Sequence, residues 1–325
     1  MHPIWGALAT GATFYGLAIL YSIYRYYIKK RKANFENKHF FITGGSLGLG
    51  ASLAKKLWKL GAYVTIVARN EEKLKEVANE AAKNASGKIQ HFSFNMCNPN
   101  VKDVDSLIDN AENSFGPIDY LICNAGSSMP AMFLDADPEF FDKQINLNYL
   151  GYVKCSQPVA KRMAARKSGT IVYVSSALGI MNCPGYSPYS PTKHAIKSLA
   201  DTVQMELQAY GVKVHLYLPG TLLTPGYEEE NKMKPELTKK IEGTASSVTA
   251  DEAANILLNG IIRGDYYITT ELIFEYMMVS SVGCGKRDNF LFNIATAPIS
   301  VLLNYLFNLI IWKEVKGYKP APRAS

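Results

Sequence analysis

Between residues 38 and 270, short apolar runs rich in β-branched residues alternate with longer stretches whose apolar positions recur every three to four residues. The runs that read as strands are His39–Thr43, Tyr63–Ala68, Ile89–Phe94, Ile118–Asn124, Thr170–Ser175, Val212–Leu218 and Tyr266–Thr269. Seven such runs separated by helical patterns predict an α/β fold, a doubly wound parallel sheet of about seven strands covered on both faces. No short-period repeat and no low-complexity linker interrupts the pattern, so residues 33–270 read as one globular domain with membrane-like sequence at each end.

The stretch from Ile4 to Ile28 is almost wholly apolar or small, broken by hydroxyls and by Arg25 near its far end. About 20 such residues cross a bilayer as a helix. A cleaved secretory leader carries its charge before the apolar run, whereas Lys29, Lys30, Arg31 and Lys32 follow it here, so 1–32 is expected to be a retained transmembrane anchor with a basic stop. The basic cluster then keeps the domain on the cytosolic side. In 271–325 an apolar stretch from Phe290 to Trp312 contains Pro298, and a shorter one, Leu272 to Val282, precedes it. Basic residues flank the longer stretch on both sides, so charge sets no orientation. A membrane-associated hairpin bent near Pro298 is preferred, since proline removes a helix hydrogen bond and the bend keeps both basic ends cytosolic. A single span is the rival, and the Met and aromatic residues near 274–278 read as part of an apolar membrane face.

Composition narrows the classes further. With 48% of residues apolar and 19% charged, disorder, a collagen-like repeat and a coiled coil are excluded. The net charge of +7 draws five of its positive groups from Arg25 and residues 29–32, which suits a membrane surface and not nucleic acid. Five cysteines, odd in number and free of any C-x-x-C pair, read as thiols in a reducing compartment. His2, His39, His91, His194 and His215 show no ligand spacing, and no metal is expected.

Two constellations carry chemistry. Directly after the first strand comes Thr43-Gly44-Gly45-Ser46-Leu47-Gly48-Leu49-Gly50, followed by a helical pattern with Leu53, Leu57 and Leu60 on one face. Glycines let the backbone turn sharply and approach a pyrophosphate, whose charge is met by the free N–H groups of the helix start. The second strand ends in Val67-Ala68-Arg69-Asn70, with an arginine where an NAD site places a carboxylate for the ribose hydroxyls. Arg69, helped by Lys73 one turn on, favours a 2′-phosphate, and the expected cofactor is NADPH. Downstream, Tyr189 and Lys193 stand four apart on one helix face, with Ser176 at the end of the fifth strand and Asn148 further upstream. An adjacent ammonium is expected to lower the phenol's pKa, while Ser176 donates to the same carbonyl oxygen. Together they would polarise a ketone and deliver a proton to it.

With these motifs in order, and with Asn124-Ala125-Gly126, Asn148-x-x-Gly151 and Pro219-Gly220 followed by Thr224 between and after them, the chain resembles the short-chain dehydrogenase/reductases, a Rossmann-like family, over residues 38–270. The resemblance implies that Asn148 holds a water linking Lys193 to solvent, that Lys193 binds the nicotinamide ribose and that Thr224 meets the carboxamide. It places Thr43, Gly44, Ser46, Gly48, Leu49, Gly50, Arg69, Lys73, Asn95, Asn124, Ala125, Gly126, Tyr189, Pro219, Gly220 and Leu222 against the cofactor as well. One departure is Asn95-Met96-Cys97, where the family has Asp and a small hydroxyl residue; Asn95 can still accept from an exocyclic amine.

Within that superfamily the chain is similar to the 3-ketodihydrosphingosine reductase family, on Val67-Ala68-Arg69-Asn70-Glu71, on Thr224 to Asn231 and on its apolar ends. That likeness implies NADPH-dependent reduction of 3-ketosphinganine, a long-chain sphingoid ketone, to sphinganine at the cytosolic face of the endoplasmic reticulum membrane, and the wider resemblance to the short-chain dehydrogenase/reductases implies a homodimer or tetramer. The runner-up is a membrane-bound reductase acting on a steroid, retinoid or fatty-acyl ketone, and the third reading is a catalytically silent NADP-binding scaffold. The likeness also makes 221–243 a substrate lid. Its Glu228, Glu229 and Glu230 read first as a solvated acidic helix start and second as a partner for the ammonium of a sphingoid ketone.

Overall fold

Strand β1 (His39–Thr43) is buried along its whole length, and its successive side chains feed two separate cores, Phe41 one of them and Phe40 and Ile42 the other. A strand that must satisfy both faces needs helices above and below. The computed structural model, which describes residues 34–82, 87–243, 246–281 and 290–318 with isolated positions before 34, supplies them. The expected anchor at 4–28 and its basic stop lie outside the described residues apart from those positions.

Seven parallel strands form the sheet in the order β3-β2-β1-β4-β5-β6-β9: β2 (Tyr63–Ala68), β3 (Lys88–Ser93), β4 (Tyr120–Cys123), β5 (Gly169–Val174), β6 (Val212–Leu218) and β9 (Tyr267–Thr269) join β1. On one face α1 (Gly48–Lys59), α2 (Glu71–Ala82) and α9 (Ala250–Arg263) bring in Leu53, Leu57, Leu74 and Leu257. On the other, α3 (Val101–Phe115), α5 (Gly151–Ala165) and α6 (Ser190–Gln208) bring in Ile108, Val159 and Ile196. The strand order reverses between β1 and β4, and the crevice that such a reversal opens at the carboxyl ends of the strands is where ligands bind in doubly wound sheets.

The expected strands are found with small shifts. Strand β4 starts at Tyr120 instead of Ile118, because Ile118 gives its N–H to the Glu112 carboxylate at 2.9 Å while its carbonyl accepts from Arg166, and so it leaves the ladder. Two three-residue strands, β7 (Thr221–Leu223) and β8 (Ser247–Thr249), pair parallel as a separate small sheet and are too short to leave a period in the sequence. Between them lie the helices of the expected lid, α7 (Pro225–Met233) and α8 (Glu236–Glu242).

The carboxyl-terminal region departs from expectation. Helix α11 (Phe290–Gly317) runs unbroken through Pro298, so the bend placed there is absent. Packing holds the axis: Thr296 and Ser300, on either side of the proline, are fully buried, and the Ser300 hydroxyl takes the Ser280 N–H at 3.0 Å. The hairpin is made instead by α10 (Leu272–Ser281) against α11, antiparallel, with Asn304 donating to the Met277 carbonyl at 3.2 Å. Met277 and Met278 are buried, Met277 against the cavity and Met278 in the core under the sheet, which corrects their reading as a membrane face. Most of the exposed apolar residues of this region lie on α11, with Leu272 and Ile273 exposed at the start of α10. Among the described residues no helix is long and apolar enough to cross a membrane.

Candidate active site

The turn after β1 depends on two glycines in left-handed backbone, Gly44 at φ 69° and Gly48 at φ 53°. A Cβ on Gly50 would run into the Gly44 carbonyl and lie 2.8 Å from the Asn124 amide nitrogen, so only glycine lets α1 start this close to β4. Thr43 and Asn124 fasten the two strand ends. The Thr43 hydroxyl accepts the N–H groups of Asn124 and Ala125 at 2.9 and 3.0 Å, and the Asn124 side chain donates to the carbonyls of Thr43 and Gly44 at 3.0 and 3.2 Å. These two residues therefore build the floor of the crevice from beneath.

One cavity of about 1030 Å³ runs from this turn to the lid and on to α10 and α11. Single small-ligand pockets occupy about 300–1,000 Å³, so the space suits a dinucleotide with a substrate beyond it. Gly44, Ser46, Gly48, Leu49, Arg69, Lys73, Asn95, Asn124, Ala125 and Gly126 line one arm. Ser176, Tyr189, Lys193, Pro219, Gly220, Leu222 and Thr224 line the centre. Arg69 and Lys73 are exposed at the mouth, and among the described residues neither is ion-paired. Asn95 spends one lone pair on the Cys97 N–H at 3.0 Å, and Thr224 caps α7 by accepting the Tyr227 N–H at 3.2 Å. A glycine cradle, free cations at the second strand end and adequate volume together fit a nicotinamide dinucleotide.

At the centre, Ser176 sits just past the end of β5, where it caps a short 3₁₀ turn (Ala177–Gly179) by accepting the Leu178 N–H at 3.1 Å. Tyr189 immediately precedes α6 and Lys193 lies in its first turn, with Nζ 5.5 Å from the Tyr189 ring centre and 5.7 Å from that of Tyr152. The lysine is buried, and Nζ donates to the Val174 carbonyl at 3.1 Å. Burial lowers its pKa from 10.5 to about 7. Burial also pushes the Tyr189 phenol above its usual 10.0, Glu230 adds to this, and a hydrogen bond with Ser176 opposes it. The expected lowering of the phenol is thus reversed. Lys193 lies over the ring, and both groups share one desolvated site that penalises charge on either.

Asn148 is fully buried, in a π-helical turn (Ile145–Leu150) between α4 (Pro138–Gln144) and α5. Such turns concentrate at functional sites. Its amide nitrogen donates to the Ser127 carbonyl at 3.0 Å and to the Thr192 hydroxyl at 3.1 Å, and its oxygen accepts the Ser127 N–H at 3.0 Å. A Cβ on Gly126 would lie 3.1 Å from that oxygen and 3.7 Å from Lys193 Nζ, so the structure brings Asn148 and Lys193 to the same glycine.

The three lid glutamates part company. Glu228 and Glu229 are exposed, Glu229 pairing with Lys232, as expected of a solvated helix start. Glu230 turns inward to the cavity, where its Oε1 accepts the Tyr186 hydroxyl at 2.6 Å and lies 3.1 Å from Lys234 Nζ. Lys234 also reaches Glu242 at 2.6 Å and sits 4.2 Å from the Tyr227 ring centre. Burial works against the charge on Lys234, but Glu242 and Glu230 outweigh it and hold its pKa above the usual value. Tyr186, Lys234, Glu242 and Phe307 line the cavity without having been marked by any sequence motif, and Phe274 and Met277, expected at a membrane face, line it too. Glu230 and Lys234 show i,i+4 spacing, but that pattern normally marks a solvated pair.

A family profile of the short chain dehydrogenases matches residues 38–235. The chain is 38% identical, over 85% of its length, to a PIGF/3-ketodihydrosphingosine reductase fusion protein of Schizosaccharomyces pombe, and it spans 55% of that longer protein. It is 33% identical to a 3-dehydrosphinganine reductase of Danio rerio, covering 79% of this chain and 78% of that one. Among solved structures, a short-chain dehydrogenase of Sphingobium yanoikuyae in complex with NADPH superposes with a TM-score of 0.64 at 23% identity, over 72% of this chain and 88% of that one, which shows a shared fold.

Proposed function

The chain belongs to the short-chain dehydrogenase family, and we propose from that premise that it reduces 3-ketodihydrosphingosine to dihydrosphingosine, with NADPH, at a membrane surface. The observation that carries the reading is the meeting of Ser176, Tyr189 and Lys193 in a cavity with a dinucleotide cradle at one end and Phe274, Met277 and Phe307 at the other. The named relatives supply the substrate class.

Bound NADPH supplies hydride; the chain supplies the proton and holds the oxygen that receives it. Tyr189, its pKa raised by burial, stays protonated at neutral pH and donates from Oη to the ketone oxygen. Ser176 donates to the same oxygen through its hydroxyl, which stabilises negative charge as it develops there. Lys193, with a pKa brought to about 7, can take and give a proton near neutrality and so restores the one on Tyr189. Asn148, pinned by Ser127 and Thr192, is the positioning residue of a relay from Lys193 to water. Arg69 and Lys73 hold the 2′-phosphate that distinguishes NADPH from NADH.

A bilayer, at the cytosolic face of the endoplasmic reticulum, is the proposed setting. The basic cluster after residue 28 and the outward apolar face of α11, with Leu302, Tyr305, Leu309, Ile310 and Trp312 exposed, support it. Assembly as a homodimer or tetramer, through the helices after β4 and β5, rests on the family resemblance. The test is NADPH oxidation by detergent-purified protein given 3-ketodihydrosphingosine, with NADH and a steroid ketone in parallel. Turnover confined to the sphingoid ketone with NADPH is expected; turnover with the steroid alone would replace this reading with the runner-up.

A further inference from the structure

Glu230 is a carboxylate only half used. Its Oε1 carries both the Tyr186 hydroxyl at 2.6 Å and the Lys234 contact at 3.1 Å, and among the described residues Oε2 has no partner. An ionised carboxylate offers about four acceptor positions. The residue lines the cavity with 18% of its side chain exposed. Tyr186 and Lys234 fix where it points: Tyr186 is 2% exposed, the Lys234 side chain 1%, and the Tyr186 ring centre lies 5.9 Å from that of Tyr189. A long flexible glutamate is therefore held by one oxygen, on the wall of the same cavity that Tyr189 lines.

The charges around it also matter. Glu230 and Glu242 share the single cation Lys234, so the group carries a net negative charge inside a largely apolar cavity. A neutral ketone gains nothing from such a wall. A ketone with an ammonium on the neighbouring carbon gains directly, because an amine next to a carbonyl has a pKa of about 7.7–8.0 in peptides and is mostly protonated at neutral pH. The carbonyl oxygen and the amine of a 2-amino ketone are separated by three bonds, so a substrate with its oxygen at Tyr189 presents its ammonium within reach of the next side chain along the wall.

We propose that Glu230 Oε2 accepts a hydrogen bond from the ammonium beside the reacting carbonyl, and that Tyr186 and Lys234 are positioning residues that hold the carboxylate for it. This rests on the reductase reading above and adds the feature that selects a 2-amino ketone over other long-chain ketones. The influence of Glu230 on the Tyr189 phenol is consistent with this proximity.

The experiment compares 3-ketodihydrosphingosine with its N-acetyl derivative, which keeps chain and ketone but loses the positive charge. The readout is the ratio of kcat/KM for the two substrates in the wild-type protein and in Glu230→Gln. Gln is nearly isosteric and retains an oxygen for Tyr186. A charge-assisted hydrogen bond corresponds to about a tenfold or greater preference, and Glu230→Gln is expected to lower the ratio by that factor, chiefly through KM for the amino ketone. An unchanged ratio, including one produced by equal loss on both substrates, overturns the proposal. Tyr186→Phe, which frees the carboxylate without neutralising it, should lower the ratio by less, and a drop as large as that of Glu230→Gln would overturn the assignment of the ammonium contact to Glu230 itself. NADPH titration of each variant establishes that the protein is folded. If the wild-type protein turns over neither ketone, the reductase reading fails instead, and the two failures are thereby told apart.

Discussion

Replacing Lys193 by Met should make the protein more stable as it abolishes turnover, and the gain should depend on pH in a defined way. A buried lysine whose pKa falls from 10.5 to about 7 is one whose folded environment disfavours the ammonium; at about 1.4 kcal/mol per pH unit, the full penalty is about 5 kcal/mol. Above about pH 7 the folded state holds Lys193 neutral, while the unfolded chain keeps it protonated up to 10.5. The unfolded state therefore binds more protons across that window, and wild-type stability rises with pH within it. Below pH 7 both states are protonated and the whole penalty applies. Met removes the titration, and the bond from Nζ to the Val174 carbonyl goes with it, at a cost of about 1 kcal/mol that does not vary with pH. The advantage of Lys193→Met over wild type should accordingly shrink by about 2 kcal/mol between pH 7 and pH 9. Thermal unfolding of the two proteins in the same detergent reads this as a difference in Tm that narrows by about 4–8 °C over the same interval. Parallel pH profiles for the two proteins would refute the argument, because they would mean that Lys193 titrates at the same pH folded and unfolded.

Three further outcomes are expected. Tyr189→Phe removes the proton donor alone, so turnover should fall about 100-fold or more while NADPH binding, read by fluorescence titration, is retained; turnover within tenfold of wild type would exclude Tyr189 as the donor. Arg69→Asp should cost about tenfold or more in affinity for NADPH relative to NADH, and an unaltered preference would place the 2′-phosphate contact elsewhere. Gly50→Ala drives a methyl against the Gly44 carbonyl and Asn124, so it should lower both Tm and cofactor affinity, with a stability loss of about 1–3 kcal/mol; a variant that binds cofactor normally would show that the turn can open there.

Local spacing and strand order made most of the site legible in the sequence. The glycine turn is contiguous, Tyr189 and Lys193 share a turn of α6, and Ser176 follows a strand whose neighbours are fixed by the sheet order, so reading motifs onto the crevice between β1 and β4 brings them together. What escaped depends on contacts between segments distant in sequence. Tyr186, Glu230, Lys234 and Glu242 come from the loop before α6, from the two lid helices and from the link between them, and nothing in the separation of 186 from 230 signals that their side chains meet. The ionisation of Tyr189 differs from expectation for a related reason. Sequence shows that a tyrosine and a lysine are adjacent, but burial sets the sign of both pKa shifts, and burial is a property of the assembled fold.

Helix α11 shows why the carboxyl-terminal stretch resisted a reading from hydropathy. The side turned toward the protein includes Thr296, Ser300, Asn304, Phe307, Ile311 and Glu314, spaced three or four apart, and several of these are polar. Ser300 and Asn304 bind α10, Phe307 reaches the cavity, and Glu314 pairs with Lys240 of the lid at 2.6 Å. The opposite side presents Leu302, Tyr305, Leu309 and Trp312 outward. A helix that docks on a water-soluble domain does the reverse and buries its apolar stripe. Here apolar residues occupy both sides, so no amphipathic period appears in the sequence and a proline in the middle invites a bend. The inversion costs nothing where the outward side faces lipid, and the inward bonds to α10 and the lid then tie the mouth of the cavity to the same surface from which a long-chain ketone would arrive.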